Sequence, residues 1–176
     1  SVKHFGLNDQ EYRRMDINSV ADERTMHEIH FVPFQRAVDE GVGSVMASYN
    51  KLNGLYSSEN PELLRNVLKN KWGFQGFVVS DWGATHSVIP AALAGLDLEM
   101  PFGDNFGPEL LKAVKQEEVP ETLITDKVTR ILKQVDRIGL LTGANINRPT
   151  MAVVNSPAHQ QLALEMARES QKKKKN

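Results

Sequence analysis

The chain of 176 residues is 40% hydrophobic and 24% charged, a balance that excludes a disordered segment or a fibrous repeat and suffices for one self-contained core. Its formal net charge of -1 offers no broad basic field for nucleic acid or an anionic membrane, and its longest apolar run is far short of the ~20 residues that span a bilayer. Cysteine is absent, which excludes disulfides, thiolate catalysis and cysteine-based zinc sites.

The opening "SVKHFG" carries no signal-peptide pattern, and the chain is expected to begin inside a longer protein. Val2 to Phe5 read as the remainder of a first strand. Residues 22–39 predict two short helices: Asp22 suits an N-cap, Met26, Ile29 and Val32 share a face, and Pro33 breaks the run. "GSVMASY" (43–49) predicts a strand. Residues 60–71 predict a helix capped by Asn60, with Pro61 at its first position, Glu62 in its first turn and Gly73 as its stop. "GFVVSD" (76–81) and "GLDLEM" (95–100) predict two more strands, with a helix over 84–94 between them. Helices follow over 107–117 and 122–138, the second carrying Leu123, Ile124, Val128, Ile131, Leu132 and Val135 at helical spacing. Residues 142–157, dense in Asn, Gly and Pro, predict a linker, and Ser156 with Pro157 opens a last helix of about 14 residues.

Short β-rich runs alternating with helical segments predict an α/β fold built of βα units around a parallel sheet. In such folds ligands gather beyond the carboxyl ends of the strands, where loops vary while the sheet holds their bases. The expected strands end in Lys3 and His4, in Tyr49 and Asn50, in Asp81 and Trp82, and in Asp97 and Glu99. Read from the residues alone, each has a structural alternative. Asp81 before Gly83 suits a turn or a helix cap. Lys3 and His4 suit solvated residues, Arg14 a surface ion pair, Tyr49 and Met46 core positions, and Trp82 a plug on the sheet end. His27 and His30 lack the i, i+4 spacing of a zinc-binding helix and read as helix surface. Asp97 and Glu99 share a strand face opposite Leu96 and Leu98, which suits capping or supporting roles.

"KHFGLNDQEYRR" (3–14), "DERTMHEIHFVPFQRAVDEGVGSVMASYNKLNG" (22–54), "SENPELLRNVLKNKWGFQGFVVSDWGATHS" (58–87) and "AGLDLEMP" (94–101) together resemble glycoside hydrolase family 3, the β-glucosidase-like enzymes. The resemblance extends through residue 140 and, more weakly, over 163–170. It implies a retaining hydrolysis of β-glucosides, with β-xylosides next, in which Asp81 of the "SDW" motif is the nucleophile. It implies that Lys3, His4 and Arg14 contact sugar hydroxyls, that Met46 and Tyr49 line the same subsite, and that Trp82 offers a flat face to the sugar. Retaining chemistry sets its two carboxyl groups about 5 to 5.5 Å apart and requires no metal or organic cofactor. As a nucleophile Asp81 is expected to be ionised, with its neighbours holding its pKa down.

The chain departs from that pattern in three ways. About four βα units that precede "KHF" in the family are missing, and so is the second domain that supplies the proton donor. The fold implied is therefore a partial (β/α)8 barrel of about four βα units. Residues 1–141 would form half of the barrel domain, and 142–176 a linker and helix leading toward an absent second domain. "KHFGLND" lacks the "GHG" continuation of the N-acetylglucosaminidase branch. Finally, "ESQKKKKN" (169–176) replaces an apolar stretch with lysines, which suits a solvated helix end or a terminated product. A half barrel exposes two strand edges, so the expected partners beside the sugar are the missing barrel half with the second domain, or another copy of the chain. The isolated chain is expected to be inactive.

Overall fold

The computed structural model describes residues 1–142 and 153–172. The chain divides into two compact units, Ser1–Ile138 and Gly139–Asn176. The first is an α/β unit. Its central sheet consists of three parallel strands, β1 (Val2–Phe5), β3 (Ser44–Ala47) and β6 (Phe77–Ser80), in the spatial order β1-β3-β6. Val45 pairs with Val78 and Met46 with Val79, and the register between β1 and β3 shifts between Val2 and Phe5.

Strand alternation decides what each face does. Phe5, Val45 and Val78 point to the helices, where they join Phe31, Leu63, Leu64, Val67, Leu68, Phe74, Ala91 and Leu96 in one buried cluster. Each fully buried Leu or Val there contributes about 1.5 to 3 kcal/mol. The helix Glu62–Lys71 supplies four of these residues and is capped as expected, the Asn60 side-chain oxygen accepting the Leu63 N–H at 3.1 Å. Met46 and Val79 lie on the opposite face, and alternation continues that face to Asp81, just beyond β6.

Pro33 separates two helical stretches as expected. Glu23–Thr25 continues into a wide turn at Met26–His30, and Val32–Asp39 follows. Asp22 accepts the Thr25 N–H at 2.7 Å and so caps the first stretch. The helices expected over 107–117 and 122–138 are Pro108–Lys115 and Glu121–Arg137. In the latter, Val128 and Leu132 are about half exposed, and the buried residue is Lys127.

Two expectations over 84–100 are corrected. The helix there covers only Ile89–Ala94, with Pro90 in its first turn, and residues 81–88 are loop. The segment 95–100 forms no extended strand. It meets β6 through a single parallel bridge between Val79 and Leu98. The cause is one side chain: the Asp97 carboxylate takes the Val78 N–H at 2.7 Å, a donor that a regular ladder would spend on a backbone carbonyl.

A second small sheet was not expected from the sequence. β2 (Asn18–Ser19) pairs parallel with β4 (Lys51–Leu52), which pairs antiparallel with β5 (Leu55–Tyr56). Asn53 and Gly54 turn this hairpin with φ of 50° and 96°, the left-handed pair that a two-residue hairpin requires. In the second unit, Ser156 opens the helix Pro157–Lys172 and accepts the Gln160 N–H on its carbonyl. Most of the expected linker and the lysines beyond 172 lie outside the described residues.

Candidate active site

β6 delivers Asp81. Its backbone N–H donates to the Ala47 carbonyl at 3.0 Å, extending the β3–β6 pairing one residue past the strand and fixing the Cα. Its carboxyl group is buried, with the residue only 8% exposed. Oδ1 accepts the Trp82 N–H at 2.8 Å, and Oδ2 lies 3.5 Å from Nε2 of His4, which projects from β1. Lys3 precedes His4 through a cis peptide and is exposed, with no ion pair to Asp81.

Tyr49 follows β3 and is buried beside the same carboxylate. Its hydroxyl donates to the Trp82 carbonyl at 3.0 Å. Burial, and next the negative charge of Asp81, push that hydroxyl above the usual phenol range. Arg14 has two engagements, since its guanidinium pairs with Glu11 and also sits 4.9 Å from the centre of the Tyr49 ring. Cation over ring is worth about 0.5 to 1 kcal/mol at a partly exposed site. Met46 is buried and pairs with Val79, two residues before Asp81, so Met46 and Asp81 share a sheet face. Trp82 is 49% exposed and leaves much of its indole to solvent. Thus His4, Tyr49 and Trp82 meet Asp81 directly, Arg14 and Met46 stand one contact behind, and Lys3 stays at the surface.

The loop after Asp81 is held from two sides. The Ser58 hydroxyl donates to the Ala84 carbonyl at 2.6 Å, and the His86 ring stacks on Tyr56 with centroids 3.6 Å apart. Lys51 lies 4.8 Å from the Tyr56 ring, and burial lowers the His86 pKa. From the other side, the Gly83 N–H donates to the Met100 carbonyl at 2.9 Å. These contacts escaped the sequence reading; the Asn53-Gly54 pair is the local pattern from which the hairpin that brings Tyr56 to His86 could have been expected.

Asn50 is also buried and donates to the Gly6 carbonyl at 2.7 Å, tying β3 to the segment after β1. Gly6 is required there, because a Cβ would come within 2.2 Å of Ser57 Oγ.

Asp97 and Glu99 are both buried and both engaged. Asp97 binds Lys69 Nζ at 2.7 Å besides the Val78 N–H, with Lys127 Nζ at 3.9 Å. Glu99 accepts from Asn105 and Phe106. His27 and His30 do not share a ligand: His27 Nε2 faces Lys71 at 3.4 Å, and His30 pairs with Asp9 at 3.1 Å. Among the described residues no helix is long and apolar enough to cross a membrane.

Comparison with known proteins gives one consistent picture. Residues 1–134 match the glycosyl hydrolase family 3 N terminal domain. Thermostable beta-glucosidase B of Acetivibrio thermocellus is 43% identical over 171 residues, which is 96% of this chain and 22% of that protein. A probable beta-glucosidase L of Emericella nidulans is 40% identical, over 96% of this chain and 25% of that protein. Among solved structures, DesR, a beta-glucosidase from Streptomyces venezuelae determined in complex with D-glucose, superposes with a TM-score of 0.79 at 41% identity over 84% of this chain and 20% of that one. The chain therefore spans about a fifth to a quarter of the length of these relatives. With its α/β fold and its "SDW" strand end, the chain belongs to the glycosyl hydrolase family 3 N-terminal domain family.

Proposed function

We propose that this chain is the nucleophile-bearing part of a retaining β-glucoside hydrolase, and that its parallel strands are units of a (β/α)8 barrel completed by other segments. The observation that carries the reading is the convergence of His4 and Tyr49, from two other strand ends, on the buried carboxyl group of Asp81, which the Trp82 N–H also binds. In its carboxylate form Asp81 attacks the anomeric carbon, and the sugar–oxygen bond to the leaving group breaks as a glycosyl-enzyme forms. Water then releases the sugar. The imidazole of His4 and the guanidinium of Arg14 supply donors for sugar hydroxyls, and Lys3 adds a third from the surface. A buried hydroxyl left without a partner costs about 1 to 3 kcal/mol, so such donors select the sugar. Trp82 offers its exposed face to the sugar's C–H surface, and Met46 lines the floor.

The leaving group needs a proton, and neither Asp97 nor Glu99 is free to give it. Asp97 is taken up by Lys69 and the Val78 N–H, and Glu99 by three N–H donors. The family resemblance assigns the acid to a second domain, so the isolated chain is expected to leave a chromogenic β-glucoside intact. No cofactor is needed, since two carboxyl groups and a water suffice. The test is a chimera in which residues 1–134 replace the matching stretch of beta-glucosidase B. It is expected to hydrolyse the β-glucoside, and Asp81→Asn is expected to remove at least about 10³ of the rate without changing the circular dichroism. An active Asn variant would overturn the assignment.

A further inference from the structure

Glu99 is a buried carboxylate whose partners are N–H groups rather than cations. Oε2 accepts the backbone N–H of Asn105 at 2.9 Å and that of Phe106 at 2.6 Å, and Oε1 accepts Asn105 Nδ2 at 2.8 Å. Desolvating a carboxylate is costly, and donors held in fixed positions offset the cost. The loop that holds them is tight, since a Cβ on Gly107 would come within 2.3 Å of the Gly103 carbonyl oxygen.

The loop faces the segment after Asp81. Asn105 Nδ2 has two hydrogens and two acceptors, Glu99 Oε1 and the Thr85 carbonyl at 3.1 Å. Beside Glu99, Met100 makes two more ties. Its N–H donates to Ser80 Oγ at 2.9 Å, and its carbonyl accepts the Gly83 N–H at 2.9 Å. The chain is thus gripped at Ser80, Gly83 and Thr85, on both sides of position 81.

We infer that Glu99 is a positioning residue for Asp81, acting through Asn105 and Met100 to hold the 80–85 segment. The inference rests on the reading of Asp81 as nucleophile. Three donors directed at Glu99 use it as an acceptor, which suits a bracket and not a proton donor. A nucleophile must be held to within about 0.5 Å, because a displacement of about 1 Å costs ~10²-fold in rate. The short Asp81–Trp82 contact has no such rigidity by itself, since both groups belong to the segment being held.

The test uses amide hydrogen exchange and ¹H–¹⁵N spectra of the 176-residue chain. In Glu99→Gln the side-chain NH₂ opposes one of the loop's donors. Protection of the Gly83 amide is expected to fall at least about tenfold, and the Trp82 amide, which donates to Asp81, is expected to shift. The β3 amides are expected to keep their protection. Asn105→Ala leaves both backbone donors to Glu99 in place and is expected to reproduce part of the loss at Gly83. A folded Glu99→Gln chain with Gly83 and Trp82 unchanged overturns the inference, as does an equal loss of protection across the whole sheet. If Glu99→Gln does not fold, Asn105→Ala decides: a Gly83 amide as protected as in the parent overturns it. No sugar enters the measurement, so its outcome is separate from that of Asp81→Asn in the chimera.

Discussion

Lys127 illustrates how much a single residue can oppose the fold it belongs to. It lies on the helix Glu121–Arg137 with 5% exposure and donates to the Ala92 and Leu96 carbonyls. Burial outweighs the attraction of Asp97 and lowers its pKa to about 8. Between that value and the ordinary 10.5, the unfolded chain holds a proton that the folded chain has released, so stability rises with pH across this window. Raising the pH from 7.5 to 10 is expected to stabilise the parent relative to Lys127→Met by about 2 kcal/mol, read from urea midpoints of both proteins. A gap that does not change with pH would mean that the lysine titrates normally. At this scale the sequence was informative where chemistry repeats a known motif. Lys127 was invisible, because helical periodicity drew attention to Val128 and Leu132, which are about half exposed. The periodicity registers spacing alone, and it carries no information on which neighbours a helix will meet.

Elements were legible where one local signal dominated. Asn60 and Pro61 opened the helix Glu62–Lys71, and the run of Phe77, Val78 and Val79 is a strand. The segment 95–100 looked equally strand-like, and a side chain decided otherwise: Asp97 replaces one rung of the ladder with its own carboxylate. Such a substitution of side chain for backbone depends on a partner 19 residues away and leaves no pattern in the local sequence. The start of β6 depends on a glycine for the same kind of reason. A Cβ at Gly76 would lie 2.3 Å from the Gly43 carbonyl oxygen and 2.6 Å from Phe74 Cζ. The first contact is to backbone, which has little freedom to yield, so β6 would be pushed away from β3. Gly76→Ala is expected to destabilise the chain by more than about 3 kcal/mol, measured by chemical denaturation. A variant within 1 kcal/mol of the parent would show that the two strands separate easily.

At the scale of the molecule, the central sheet has helices packed on one face, and among the described residues β1 has one strand neighbour. Its outer N–H and C=O groups are a template for another strand. Sedimentation equilibrium of the isolated chain at micromolar concentrations is expected to show species larger than a monomer. A single monomeric species would indicate that the edge is protected from within. The order of the motifs made the family legible, whereas the number of strands was not. That number depends on how far pairing propagates, which is settled by hydrogen bonds between segments distant in sequence.

Arg130 connects these scales. Its guanidinium donates to the carbonyls of Phe74 and Gly76, at the foot of β6, while Asp81 stands at the tip. A short strand behaves as a stiff lever, and a lever anchored at its base passes any tilt there to its far end. The position of the carboxylate therefore depends in part on the opposite end of the strand, where the helix Glu121–Arg137 holds it. Substitutions confined to the residues around the carboxylate would leave that anchor untouched.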